Sequence, residues 1–110
     1  MRKLLSFALL CVTASCGSDS TTSATTPTLT TSVTMQNIAF APASIQVSPG
    51  AVVTWTNNDN IQHTVTFDGT VGAIAAFSTG AKTLTMPTTT GTYAYHCTIH
   101  AGMSGTVTVK

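Results

Sequence analysis

Charge is what this chain most lacks. Of its 110 residues only 6% are Asp, Glu, Lys or Arg, far below the roughly 25% of an ordinary globular chain. From Ser32 onward the only charged side chains are Asp59, Asp68, Lys82 and Lys110, two of each sign. Such a surface has no basic stripe, so nucleic acid is not expected as a partner, nor is strong electrostatic steering. A long apolar run is missing as well. The run Leu4 to Val12 has nine residues, where a membrane-spanning helix needs about 20. Paired cysteines are absent from the part expected to fold: Cys11 sits in that run and Cys16 four residues beyond it, leaving Cys97 alone. A lone thiol in a folded domain is either a buried spectator or a group doing chemistry.

The start of the chain carries instructions rather than fold. Arg2 and Lys3 precede the apolar run, and Thr13-Ala14-Ser15-Cys16 follows it. A basic start, a short apolar stretch and small residues at a cleavage point make an export signal, assigned to residues 1–15. Ala14-Ser15-Cys16 also resembles a bacterial lipobox, with Thr13 where Leu is usual, so acylation at Cys16 and simple cleavage after Ala14 or Ser15 are both open. The stretch Gly17 to Ser32 holds eleven Ser or Thr and almost no apolar residue. It cannot bury enough surface to offset its ordering entropy, which makes residues 16–31 a flexible tether. A tether favours anchoring at Cys16, and hence a periplasmic or cell-surface location on a membrane.

Residues 32–110 form the expected single domain. No stretch keeps a helical period. Instead, short runs rich in Val, Thr, Ile and Tyr recur between turn signals. They are Ser32 to Phe40, Ser44 to Val47, Val52 to Thr56, His63 to Phe67, Ala81 to Met86, Thr92 to Cys97 and Gly105 to Val109. Alternation puts Val53 and Trp55 on one face, and Tyr93, Tyr95 and Cys97 on another. Gly72 to Phe77 suits one irregular turn of undecided role. The expected fold is all-β, a two-sheet antiparallel Greek-key sandwich.

One segment carries the chemistry: Tyr95-His96-Cys97-Thr98-Ile99-His100-Ala101-Gly102-Met103. It follows a strand, so Cys97 lies at the strand end, with His100 and Met103 on the loop beyond. Far upstream, His63 opens another strand after an Asn-rich turn. A thiolate, two imidazoles and a thioether are the donor set of blue copper, trigonal His₂Cys with a weak axial Met. Common structural zinc sites use four Cys and His ligands instead. Three-residue steps from Cys97 to His100 to Met103 let one loop wrap one ion, and His63 ties that loop to a sheet. The metal ligands are therefore expected to be His63, Cys97, His100 and Met103, around one copper cycling between Cu(I) and Cu(II). Alternation turns His96 to the opposite strand face, as a partly exposed residue. Met35 and Met86 read as core or strand-end residues.

With those residues in view, the chain resembles the cupredoxins, on the amicyanin, plastocyanin and pseudoazurin branch. The matching pieces are Phe40-Ala41-Pro42, Val47-Ser48-Pro49-Gly50, Val53-Thr54-Trp55-Thr56-Asn57, His63-Thr64-Val65 and Gly91 to Cys97, followed by His100 and Met103. The short step between His100 and Met103 is most similar to amicyanin. The resemblance implies copper near one end of the sandwich, with the edge of His100 reaching the surface as the docking point for redox partners. Two departures stand out. Amicyanin-like loops carry proline on both sides of this histidine, where this chain has Ile99 and Ala101, which implies a more mobile loop. Thr64 stands where Asn is frequent, and its hydroxyl could tie the two ligand loops together through Thr98.

The expected function is one-electron transfer by a monomeric, non-enzymatic type 1 copper protein. The alternative is copper handling, storage or delivery by a tethered binding protein. Handling sites tend to cluster several exposed Met or Cys, and this chain offers one compact set. No carboxylate is expected near the ligand motif to serve an enzyme as extra ligand or base.

Overall fold

Alternating apolar residues set the strands, and the computed structural model shows how they stack. It describes residues 26–110; the expected export signal, the expected anchor position Cys16 and the expected tether up to residue 25 lie outside the described residues. Ten strands follow one another: β1 (Thr28–Leu29), β2 (Ser32–Met35), β3 (Phe40–Ala41), β4 (Ser44–Val47), β5 (Val52–Asn57), β6 (His63–Phe67), β7 (Ala73–Phe77), β8 (Gly80–Thr85), β9 (Gly91–His96) and β10 (Ser104–Val109). They build a six-stranded sheet in the order β1-β4-β10-β9-β6-β7 and a four-stranded sheet in the order β3-β2-β5-β8. The all-β sandwich is as expected from sequence. Its sheets are mixed rather than purely antiparallel, because β4 runs parallel to both β1 and β10, and β2 parallel to β5. Alternation reports which face a residue takes, not the direction of the strand beside it.

Between the sheets lies a core of Val33, Met35, Ile45, Val53, Trp55, Val65, Tyr95, Val107 and Val109, all essentially shielded from solvent. Aromatic rings concentrate at its centre. Tyr95 meets Phe40 edge-on with ring centroids 4.7 Å apart and Trp55 at 5.5 Å, while Phe67 lies 5.0 Å away. Pairs of this kind contribute about 0.5–1.5 kcal/mol beyond area burial. Gly105 sits opposite Tyr95 in the β9–β10 ladder. A Cβ there would come within 2.6 Å of the Tyr95 hydroxyl oxygen and 2.9 Å of the Ala43 carbonyl oxygen. Only glycine lets the tyrosine lie flat across the strand.

Three local differences from the sequence expectation have physical causes. The run Ser32 to Phe40 is two strands, split by a tight turn in which Asn37 and Ile38 take φ of 57° and 56° and the Gln36 N–H donates to the Ala39 carbonyl at 3.0 Å. Gly72 to Phe77 is not a turn; its last five residues are β7, an edge strand whose alternation is broken by a bulge against β6. Thr28 and Leu29, placed in the tether by composition, add a short parallel strand to β4. Exposed residues can still lengthen an open sheet edge, because the ladder uses backbone groups alone.

Candidate metal centre

His63 begins β6, immediately after a loop that Asn57 holds shut. The Asn57 Nδ2 donates to the carbonyls of Ile61 at 2.9 Å and Phe77 at 2.7 Å, and its Oδ1 accepts the Asp59 N–H at 2.8 Å. The pairing of β6 with β7 slips between His63 and Val65. The extra residue lies in β7, since Phe77 to Ile74 takes one step more than His63 to Val65. His63 and Val65 are both buried, and Thr64 between them is buried as well, with the ligand loop against it through Thr98.

Cys97 follows the last residue of β9. From there a short loop closes on itself: the Cys97 N–H donates to the Met103 carbonyl at 2.9 Å, and the Met103 N–H to the His100 carbonyl at 3.2 Å. Gly102, at φ 84°, supplies the left-handed residue that this last turn requires. Thr64 straps the loop to β6. Its Oγ1 accepts the Thr98 N–H at 2.9 Å and lies 3.1 Å from the Thr98 hydroxyl, the tie anticipated from sequence.

The sequence-predicted donors converge. His63 Nδ1 and His100 Nδ1 are 3.2 Å apart, and they lie 4.0 Å and 3.6 Å from Cys97 Sγ. A point equidistant from all three is about 2.1 Å from each, the length of a transition metal–imidazole bond. Met103 lies near them, buried at the end of the loop. A thiolate, two imidazole nitrogens aimed at one point and a nearby thioether suit copper. His96 is turned away, half-exposed, with its Nδ1 3.1 Å from Asp68 Oδ1.

Electrostatics prepare the sulfur. Burial works to raise the Cys97 thiol, but the Thr64 N–H donating to Sγ at 3.4 Å, His100, the Ile99 N–H and His63 outweigh it and bring it down to about 6. A thiolate is the form a metal binds. The participant that sequence reasoning missed is Asp59. Its Oδ2 is 2.8 Å from His63 Nε2, and the carboxylate is held below its ordinary range, first by the Ile38 N–H and then by His63. This corrects the expectation that no carboxylate lies near the ligands: Asp59 stands against the far nitrogen of His63, brought there by the loop before β6. No local signal marks it: in sequence it is one polar residue of the Asn-rich turn, four positions before His63.

The family model for the cupredoxin-like domain matches residues 5–109. The chain is a cupredoxin. Among curated proteins it is similar to the plastocyanin of Scenedesmus fuscus, 36% identical over 86 residues that cover 66% of this chain and 88% of that one. Among solved structures it resembles the Cu(I) form of an amicyanin mutant, with 33% identity and a TM-score of 0.60 over 72% of this chain and 80% of the other. The purple cupredoxin of Nitrosopumilus maritimus superposes with a TM-score of 0.66 over 72% of this chain and 98% of that one. At 22% identity that likeness speaks for the fold. This cupredoxin brings His63 from the start of β6, Cys97 from just past the end of β9 and His100 from the loop beyond to one place, with Thr64 and Thr98 strapped together beside them.

Proposed function

We propose that this cupredoxin carries single electrons through a type 1 copper centre held by His63, Cys97, His100 and Met103. The observation that carries the reading is the convergence of two Nδ1 atoms and one Sγ on a point about 2.1 Å from each. The amicyanin neighbour named as a Cu(I) form is consistent with it. When bound, copper supplies a reversible one-electron couple. The protein's part is to keep the donors still: β6 fixes His63, β9 fixes Cys97, and the Thr64–Thr98 strap holds the loop to the sheet.

His63 is completely buried, whereas His100 is partly exposed and flanked by exposed Ile99, Ala101 and Gly102. Electrons would therefore enter and leave at the His100 edge, during brief apolar contacts with redox partners. The scarcity of charge suits partners that are not selected by strong steering. We read the chain as a monomer, exported by residues 1–15 and anchored through Cys16 to a membrane by way of the Ser/Thr-rich tether.

Adding Cu(II) to the purified protein should give an intense blue colour that ascorbate bleaches and ferricyanide restores, and Cys97→Ser should abolish it. Persistent colourlessness of folded protein would sink the proposal. Ready loss of Cu(I) to a chelator, with slow redox cycling, would favour copper handling instead. Mass spectrometry of the mature N-terminus tests the anchor, since an unmodified Cys16 or a start beyond it contradicts lipidation.

A further inference from the structure

His63 has two ring nitrogens, and only one of them faces Cys97 and His100. The other, Nε2, is 2.8 Å from Asp59 Oδ2. We propose that Asp59 is the positioning residue that holds His63 in its ligating tautomer, and that the same carboxylate locks the Asn37–Ile38 turn against the metal centre.

The chemistry of the pair follows from what each group can do. An ionised carboxylate only accepts hydrogen bonds, so the proton of neutral His63 resides on Nε2 and the lone pair on Nδ1. That lone pair points to where His100 Nδ1 and Cys97 Sγ also point. With His63 wholly buried, an Nε2–H without a partner would carry the full desolvation cost of an unmade hydrogen bond. A neutral carbonyl could have met that need. A carboxylate adds negative charge behind the ring, makes Nδ1 more basic, and favours the more highly charged copper ion.

Asp59 is itself fixed from several sides. Its Oδ1 accepts the Asn37 N–H at 2.7 Å and its Oδ2 the Ile38 N–H at 2.9 Å. Its own N–H is held by Asn57 Oδ1, and its side chain is only 14% exposed. The turn it grips is one the chain would not adopt readily, because a β-branched residue at φ 56° is a steric outlier. One anion thus serves a strained turn and a buried histidine, which are otherwise in different parts of the chain. Any effect on the metal rests on the copper reading; the tautomer of His63 does not.

The test uses ¹⁵N-labelled full chain, with NMR of the His63 ring in metal-free protein and Cu(II) titration alongside. In the wild type we expect the Nε2–H tautomer. Asp59→Asn is nearly isosteric and can keep an oxygen on the turn, but it removes the charge. We expect it to move His63 toward the Nδ1–H form, weaken Cu(II) binding by about 10–100-fold and raise the reduction potential. Ile38→Gly accepts positive φ freely, so the double variant Ile38→Gly/Asp59→Asn should show the same tautomer shift even if the single one folds poorly. A wild-type His63 in the Nδ1–H form would overturn the proposal, as would an unchanged tautomer and Cu(II) affinity after Asp59→Asn. A wild type with the Nε2–H form that gives no blue complex would sink the copper reading while supporting the role of Asp59.

Discussion

His63 and His100 offer the same atom to the same point, yet they are held in opposite ways. His63 stands at the start of a central strand, fully buried, with its far nitrogen on Asp59 and its loop shut by Asn57. His100 rides on a short loop, partly exposed, and among the described residues its ring contacts run through Nδ1. Ile99 beside it is 48% exposed. For the proposed copper centre the contrast would separate two jobs. A buried, cross-linked ligand would resist the change in geometry between two oxidation states, while an exposed ligand would provide a route for the electron to a partner.

Removing each imidazole breaks that contrast most directly. His100→Gly opens a cavity toward solvent, so added imidazole should restore much of the lost Cu(II) colour. His63→Gly opens a sealed one and should respond weakly at the same concentration; equal rescue of both would erase the distinction. The next effect reads the sulfur that both histidines share. The Cys97 thiol is lowered from 9.0 to about 6 on folding. The stability it contributes is therefore complete above pH 9 and lost as pH falls through about 6. Urea unfolding of metal-free protein should show stability rising across that window, by a few kcal/mol at most. A flat profile would mean that the sulfur gains nothing from its amide and imidazole neighbours.

Smaller changes sharpen the comparison at the seam between the two sides. Thr64→Val keeps the shape but leaves the Thr98 N–H without its acceptor, at a cost of about 1–3 kcal/mol. Because Thr64 lies on the His63 side and Thr98 on the His100 side, amide exchange should speed up in the 97–103 loop and stay unchanged around Asn57. The smallest effect is a gain. His100 to Met103 is a turn with Gly102 at φ 84°, the left-handed third position of a type II turn, which accepts proline at its second. Ala101→Pro should stabilise by about 0.4–1 kcal/mol in thermal unfolding. Destabilisation would show that the loop has a different geometry in solution.

Much of the site was legible beforehand because its signals are local. Cys97, His100 and Met103 sit at fixed steps on one loop, and the bounds of Ser44–Val47 and His63–Phe67 are those the alternation indicated. The hydroxyl tie from Thr64 to Thr98 was also visible, because the family resemblance puts Thr64 where a loop-tying Asn is frequent. Asp59 was not. In sequence it is one polar residue in an Asn-rich turn, and its partners Asn37 and Ile38 lie more than twenty positions away. The turn it grips was hidden inside what read as one continuous strand. β7 was hidden for another reason, since a bulge destroys the period that would have announced it.

The sequence by itself determined which residues could bind a soft metal and which faces of the strands turn inward, because donor chemistry and alternation are properties of a short stretch of chain. Only the tertiary structure decided that three pairs of neighbouring strands run parallel, that His63 leans on a carboxylate, and that one histidine is sealed while the other meets solvent. Those outcomes depend on which distant segment comes to lie alongside, and no local pattern records that.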